Sequence, residues 1–112
     1  MKKISTIKEF RKWRENISGS IGFVPTMGAL HEGHLSLVSE SNNTCENTIV
    51  SIYINPTQFA QGEDLDTYPQ TIKSDLDKLS NYKIDCVFLP RNTEMYPDGI
   101  NTGNYNNNLF NL

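Results

Sequence analysis

Two histidines lie three residues apart in segment 24–34, which reads VPTMGALHEGH. The pattern becomes helical from His31, and residues three apart on a helix share one face, so His31 and His34 can point at one ligand. The N–H groups and positive end of a helix start favour an anion such as a phosphate. Histidines that donate to the oxygens of a triphosphate stabilise the charge that builds up when its α-phosphate is attacked. The spacing therefore predicts a phosphate-binding site.

Two glycines in the same segment support this interpretation. Gly28 lets the backbone turn, and Gly33 removes a side chain where a flat ring could lie against the helix. The segment lacks the three glycines of the dinucleotide-binding fingerprint. A single histidine near a helix start is usually a surface cap, and metal ligation is the other alternative for the pair. Helical metal ligands usually lie four residues apart and nearby residues offer no third ligand, so we predict no metal site.

A second segment, 51–59, leaves the next predicted strand at the same edge of the sheet. Its Gln58 has an acceptor oxygen and two N–H donors, which suit a hydroxylated carboxylic acid. Taken alone, residues 55–58 would be a turn with an exposed glutamine. The acidic run 63–66 could hold magnesium, but a solvated acidic loop is the favoured interpretation.

The elements that must position these residues alternate along the chain. Thr6 and Glu9 have the spacing of a capping box, and a helical pattern over 8–16 follows them. The pattern also predicts a helix that starts at 31 and is ended by the polar stretch 39–47, a helix over 71–82, and strands over 21–25, 48–54 and 84–89. Apolar strands that alternate with helices indicate an α/β fold with a parallel sheet and helices on both faces. Right-handed crossovers make it a βαβαβ half of a Rossmann-like sheet, in which ligands bind beyond the carboxyl ends of the strands.

Composition restricts the class of protein further. The chain has 112 residues, the length of one domain, and a formal net charge of −3 without a basic run, so we expect no nucleic-acid partner. It has no apolar run of transmembrane length and no signal-peptide pattern, so we expect a cytoplasmic protein without a membrane partner. Cys45 and Cys86 are expected to be plain structural thiols, and Phe10 and Trp13 to pack beneath the sheet.

Several blocks together resemble the pantothenate synthetase (pantoate–β-alanine ligase) family. Segment 24–34 resembles its ATP-binding signature, and segment 54–59, INPTQF, resembles its second block. Shorter matches follow in order at 63–65, 67–69, 87–90 and 95–97, so the resemblance covers roughly residues 1–99. The His-x-Gly-His element alone marks only the wider nucleotidylyltransferase superfamily, whereas its combination with the second block is specific to the ligase.

The resemblance implies a two-step reaction. The carboxylate of (R)-pantoate attacks the α-phosphate of ATP, with Mg²⁺, and the amine of β-alanine then displaces AMP from pantoyl adenylate. It also implies that one run of residues lines the ATP site: Met27, Gly28, Ala29, Leu30, His31, Glu32, Gly33 and His34. Within that run, His34 would be the catalytic residue and proton donor, and His31 would steady the phosphates.

The same resemblance assigns a pocket for the other substrates. Gln58 would bind pantoate and contact the incoming β-alanine. Tyr68 would lie near this pocket, and Pro25 and Thr26 are further candidates for its wall. The partners implied are therefore small molecules, with a homodimer as an open alternative.

The family pattern continues beyond the motifs of this chain. After Met95-Tyr96-Pro97 it has Arg-Pro-Gly-His, Gly-x-Lys-Asp-x-Gln and Ser-Ser-Arg-Asn blocks, which this sequence lacks. We therefore expect residues 1–99 to form an incomplete ATP- and pantoate-binding domain without the carboxy-terminal domain. Residues 100–112, rich in asparagine, are expected to be a disordered or non-native ending of a truncated form. The alternatives are a non-catalytic nucleotide-binding fragment and another nucleotidylyltransferase.

Overall fold

The fold is that of a computed structural model, which describes residues 1–53 and 71–95. In chain order these residues form β1 (Lys2–Ile4), α1 (Ile7–Glu15), β2 (Ile21–Thr26), α2 (Glu32–Thr44), β3 (Asn47–Ile52), α3 (Ile72–Leu79), β4 (Cys86–Phe88) and α4 (Asn92–Met95). The polar run 57–70 and the asparagine-rich residues 100–112 lie outside the described residues.

The four described strands form one parallel sheet in the order β1-β4-β3-β2. In the middle of the sheet, Val50 of β3 lies beside Val24 of β2 on one side and Val87 of β4 on the other. Because parallel neighbours need crossover connections, helices lie between consecutive strands. The predicted Rossmann-like α/β fold with its βαβαβ order is therefore confirmed.

Two short elements at the margins of the sheet were not predicted. β1 has three residues, two of them lysine, and so lacks the apolar run of a typical strand. It forms because it pairs with β4 and buries Ile4 completely. α4 covers the same region: Met95 packs into the cluster that contains Ile4, and the carboxylate of Glu94 accepts from the N–H of Ile7 at 2.8 Å. Both elements depend on contacts between distant parts of the chain.

The core lies on both faces of the sheet because successive strand residues point to opposite faces. Ile49, Cys86 and Phe88 belong to one buried cluster, whereas Val50 and Val87 belong to the other. Phe10 of α1 packs into the first cluster, and Val38 of α2 and Leu79 of α3 pack into the second. The prediction of helices on both faces is confirmed.

α1 begins and packs as its sequence predicts. Thr6 caps it, since its hydroxyl accepts from the N–H of Glu9 at 3.1 Å. The ring of Phe10 stacks on Phe88 with centroids 4.7 Å apart, and half-buried Trp13 lies next to it. Burial raises the pKa of the Cys86 thiol to about 12, as expected for a cysteine that acts as a small apolar residue. The other cysteine, Cys45, is also a free thiol.

α2 ends at Thr44, inside the polar stretch 39–47 that was predicted to end it, but only after passing through most of that stretch. Two of its polar side chains, Ser41 and Asn42, lie against the sheet and are paired there, whereas Ser39, Glu40, Asn43 and Thr44 are exposed. The hydroxyls of Ser41 and Thr48 lie 2.6 Å apart, and the Asn42 amide donates to Thr48 at 3.0 Å and to the carbonyl of Lys83 at 2.8 Å. Sequence periodicity could not show that these polar residues have partners on β3 and before β4.

The other element boundaries differ from the predictions by a few residues. The helix predicted over 71–82 ends at Leu79, because the following N–H groups of Asn81 and Tyr82 bond three residues back, to Lys78 and Leu79. The strand predicted over 84–89 is regular over Cys86–Phe88, with backbone hydrogen bonds continuing to Asp85 and Leu89. The bonds that end α3 run from residue i to residue i−3, and bonds of this kind tighten the last turn of a helix and close it.

Gly22 provides a test of how closely α2 approaches β2. A Cβ atom at Gly22 would lie 1.9 Å from the hydroxyl oxygen of Ser41 and 2.6 Å from its Cβ. We expect Gly22→Ala to lower the free energy of unfolding by about 1–3 kcal/mol through overpacking. In a double-mutant cycle measured by urea unfolding, Gly22→Ala and Ser41→Gly should cost less together than the sum of their separate costs. Strictly additive costs would contradict the close contact.

Candidate functional site

The carboxyl end of β2 leads through residues 27–31 into α2, and Thr26 secures the start of this turn. Its buried hydroxyl donates to the carbonyl of Ser51 on β3 at 2.9 Å and accepts from the N–H of Gly28 at 3.2 Å. One side chain thus joins the ends of β2 and β3 to the turn. Because its hydroxyl is engaged within the protein, Thr26 stabilises the turn from the buried side. Pro25, the residue before it, is exposed.

The turn itself has an unusual backbone. Gly28 has φ of 84° and Ala29 has φ of 51°, so two consecutive residues are in the left-handed region. Glycine adopts this region freely, as the predicted backbone turn requires, but alanine pays roughly 1–2 kcal/mol there. A non-glycine residue in this conformation persists where surrounding contacts hold it.

Those contacts come from α3. Asp75 is only 1% exposed, and its carboxylate accepts from the N–H groups of Ala29 at 2.9 Å and Leu30 at 2.8 Å. The Thr71 hydroxyl donates to the same carboxylate at 3.0 Å. One helical turn further on, the ammonium of Lys78 donates to the carbonyl of Leu30 at 2.8 Å. Together, Asp75 and Lys78 form a clamp on the turn.

Neither Asp75 nor Lys78 was predicted from the sequence. A signal for Asp75 exists, because it lies three residues after Ile72 and four before Leu79, on the apolar face of α3. A carboxylate on the buried face of an amphipathic helix needs a partner, since burying an unpaired charge is costly. Its partners, however, are backbone amides 45 residues earlier in the chain, which no local pattern indicates.

The two histidines cap the start of α2 reciprocally. His31 is the N-cap residue, and its Nδ1 accepts from the N–H of Gly33 at 3.0 Å. The Nδ1 of His34 accepts in return from the N–H of His31 at 3.2 Å. This is a capping box in which histidines take the places usually held by Ser or Thr and by Glu or Gln. The ring centroids lie 4.0 Å apart, so the structure brings both rings together, as their spacing predicted.

Gly33 makes room for this arrangement. A Cβ atom there would lie 2.8 Å from Cε1 and 3.0 Å from Nδ1 of His31. The flat ring that lies against the helix at Gly33 is therefore the imidazole of His31 itself. A larger residue at this position would push that ring away from its cap.

The capping bonds determine the protonation of both rings. A ring nitrogen that accepts a hydrogen bond carries no proton, so each imidazole is neutral with its hydrogen on Nε2. Burial and the neighbouring His31 lower the pKa of His34, and the carboxylate of Asp75 opposes that shift. The start of α2 thus presents two neutral Nε2–H donors, which suit the oxygens of an anion.

The remaining predicted site residues have different environments. Leu30 is buried in the apolar core, Met27 is half-buried, and Ala29 and Glu32 are exposed. Gln58 and Tyr68, together with the acidic run 63–66, lie outside the described residues, so their roles stay predictions. Among the residues that the structure describes, no three His, Cys, Asp or Glu side chains come together as a possible metal site. Within the same ranges, no helix has the length and apolarity needed to cross a membrane.

The parallel sheet, with a histidine-capped helix after the carboxyl end of β2, defines a Rossmann-like α/β domain. More specifically, the chain belongs to the pantoate-beta-alanine ligase family, whose sequence model matches residues 2–111. This match continues past residue 99, where the recognisable motifs end.

Curated relatives and solved structures agree with this assignment. The chain is 52% identical over 93 residues to pantothenate synthetase of Maricaulis maris and 51% identical over 98 residues to that of Neisseria meningitidis serogroup C. These alignments cover 83% and 88% of this chain but 32% and 35% of the relatives. The chain therefore spans about a third of the length of these curated relatives.

Among solved structures, the chain is similar to the pantoate-beta-alanine ligase of Francisella tularensis, described as a complex with beta-gamma ATP and beta-alanine. The TM-score is 0.81 at 42% identity, over 88% of this chain and 39% of that one. Pantothenate synthetase of Thermus thermophilus gives a TM-score of 0.76 at 39% identity, over 91% of this chain and 36% of that one.

The lowered pKa of His34 predicts how stability depends on pH. The unfolded chain binds a proton at His34 near the ordinary pKa of 6.5, whereas the folded chain binds it only at lower pH. The contribution of His34 is therefore fully present above 6.5 and is lost as the pH falls through the folded-state pKa. NMR titration of its imidazole should give a midpoint below 6.5 in buffer and near 6.5 in concentrated urea. Equal midpoints in both solvents would contradict this prediction.

Proposed function

We propose that this chain is the ATP-binding part of a pantoate–β-alanine ligase. The observation that carries the proposal is the pair of neutral imidazoles at the start of α2, beyond the carboxyl end of β2. Rossmann-like sheets bind ligands at this edge, and the amino end of a helix favours phosphate. Membership of the ligase family and the ATP complex of the Francisella relative support ATP as the ligand.

The proposed reaction has two balanced steps. A carboxylate oxygen of (R)-pantoate attacks the α-phosphorus of ATP, forming pantoyl adenylate as the bond to pyrophosphate breaks. The amine of β-alanine then attacks the acyl carbon, AMP leaves, and the ammonium loses a proton to give pantothenate. In the first step negative charge moves onto phosphate oxygens, and donors placed there in advance stabilise it.

His31 and His34 are the groups that we assign to those oxygens. Each would donate its Nε2–H while its Nδ1 stays in the capping box, so ligand binding needs no rearrangement of the helix start. A nearby anion favours the protonated form of a histidine, so a bound triphosphate would raise the pKa of His34. The protonated form carries a hydrogen on Nδ1 as well, so the proton-donor role that the family resemblance implies for His34 would require its Nδ1 to release the N–H of His31.

Other residues have less direct roles in the proposal. The run 27–34 would surround the nucleotide. Within it, the side chain of Leu30 is buried in the core and its N–H and carbonyl are bound to Asp75 and Lys78, so Leu30 would position the run rather than contact the nucleotide. Gln58 would bind pantoate and β-alanine, with Tyr68 nearby. A homodimer and a cytoplasmic location stay predictions.

Magnesium belongs to the substrate in this proposal. Within the described residues no three His, Cys, Asp or Glu side chains come together, and the buried carboxylate of Asp75 already accepts from three donors. Mg²⁺ commonly binds through substrate phosphates and water with few protein ligands. We therefore propose that it arrives as the Mg–ATP complex rather than as a resident ion.

The test measures ATP binding by calorimetry in variants that keep the helix cap. Asparagine is among the best N-cap residues and glutamine suits the third helical position, so His31→Asn and His34→Gln should retain the fold. Losing a hydrogen bond to a charged group costs about 1.5–3 kcal/mol, so each variant should bind ATP roughly 10- to 100-fold more weakly. Ser39→Ala, on an exposed position of α2, is the matched control and should bind as the wild type does.

Turnover distinguishes the alternatives. AMP release that requires ATP, Mg²⁺, pantoate and β-alanine together would support the ligase. ATP binding without AMP release would favour the non-catalytic nucleotide-binding module, and pyrophosphate release with a phosphate ester in place of pantoate would favour another nucleotidylyltransferase. The absence of ATP binding at millimolar concentration would overturn the proposed site.

A further inference from the structure

α3 supports the histidine pair at a distance, through the turn that precedes it. The clamp consists of Asp75, which accepts from two amides of the turn, and Lys78, which donates to the carbonyl of Leu30. Thr71 lies at the start of the same helix and adds its hydroxyl, which accepts from Ala29 at 3.4 Å. The peptide groups immediately before His31 are therefore held by side chains from one helix.

The hydrogen bonds of the clamp offset the conformational cost of the turn's left-handed backbone. The left-handed backbone of Ala29 is unfavourable for an L-residue, and it aims two successive N–H groups, those of Ala29 and Leu30, into the protein. A buried carboxylate is costly unless donors surround it, and here those two amides and the Thr71 hydroxyl do so. The strained turn and the buried charge thus stabilise each other.

This arrangement limits what the turn can offer a ligand. The N–H groups of Ala29 and Leu30 are engaged by Asp75, so they are turned away from an anion at the start of α2. The turn instead determines where the next residue, His31, and its partner His34 stand relative to the sheet edge. Small displacements of positioned groups weaken binding and catalysis strongly.

We propose that Asp75 and Lys78 are positioning residues for the nucleotide site, which hold the turn at 28–30 so that both imidazoles meet the phosphates. This inference rests on the proposed function, since it assumes that the histidines bind ATP. Neither residue contacts the nucleotide in this proposal. Asp75 has a second, electrostatic effect, because its charge favours the protonated form of His34.

The experiment compares Asp75→Asn with Asp77→Asn, which makes the same change of charge on an exposed position of the same helix. An asparagine oxygen can replace only part of the carboxylate, so the turn should loosen. We expect Asp75→Asn to weaken ATP binding about three- to thirty-fold, the range typical of residues that act through others. Asp77→Asn should bind ATP as the wild type does.

A second clamp variant and two further controls separate positioning from mere stability. Leu76→Ala removes half-buried apolar contacts from α3 but leaves the hydrogen bonds of the clamp in place, so it should lower stability while ATP affinity of the folded protein is retained. The second variant of the clamp, Lys78→Met, keeps the buried carboxylate and should fold; its match is Lys73→Met, an exposed lysine on α3. Lys78→Met should weaken ATP binding in the same direction as Asp75→Asn, and Lys73→Met should not.

Two readouts need no nucleotide. Amide hydrogen exchange of Ala29 and Leu30 should become faster in Asp75→Asn. It should not become faster in Leu76→Ala when the two variants are compared at equal free energy of unfolding. The pKa of His34, followed by NMR, should fall further in Asp75→Asn because the nearby negative charge is gone. In Lys73→Met the pKa of His34 should be the same as in the wild type.

The outcomes distinguish the two proposals. If the wild type binds ATP but Asp75→Asn and Lys78→Met bind it equally well, the positioning role is overturned and the proposed function stands. The positioning role is also overturned if Asp75→Asn and Lys78→Met lose no more ATP affinity than Leu76→Ala does, when the variants are compared at equal free energy of unfolding. If the wild type binds no ATP, the proposed function fails, while amide exchange and the His34 titration still report whether the clamp holds the turn.

Discussion

The carboxylate of Asp75 lies inside the protein between α3 and the turn that joins β2 to α2, and the geometry of the histidine pair depends on it. Two backbone amides and a hydroxyl donate to this one group, so α3, the turn and the start of α2 form a single unit. The buried charge and the strained turn stabilise each other. The charge of Asp75 can be buried because donors surround it, and the left-handed conformation of Ala29 persists because its amide is bound.

The sheet supplies the rest of the framework. Its strands alternate between two apolar clusters, so α1 packs on one face while α2 and α3 pack side by side on the other. Because α2 and α3 share a face, side chains of α3 can reach the residues just before α2. Thr26, at the end of β2, completes the connection by binding both the turn and β3.

Much of this fold could be predicted because its signals are local. The apolar runs of β2, β3 and β4, the threonine cap of α1 and the paired histidines each occupy a few consecutive residues. The failures have a common cause. β1 and α4 carry weak patterns and form only against distant partners. The point within 39–47 at which α2 ends has the same cause, because Ser41 and Asn42 find partners beside β3.

The candidate site shows the same division. The sequence by itself determined which residues stand at the start of α2, since His31 and His34 at helical spacing share a face. It also determined the family, because the motifs that identify it are contiguous. Only the tertiary structure decided how the imidazoles are held, with each Nδ1 on a backbone amide and each proton on Nε2. It alone revealed Asp75 and Lys78, because a buried charge and its partners 45 residues away meet only when the chain has folded.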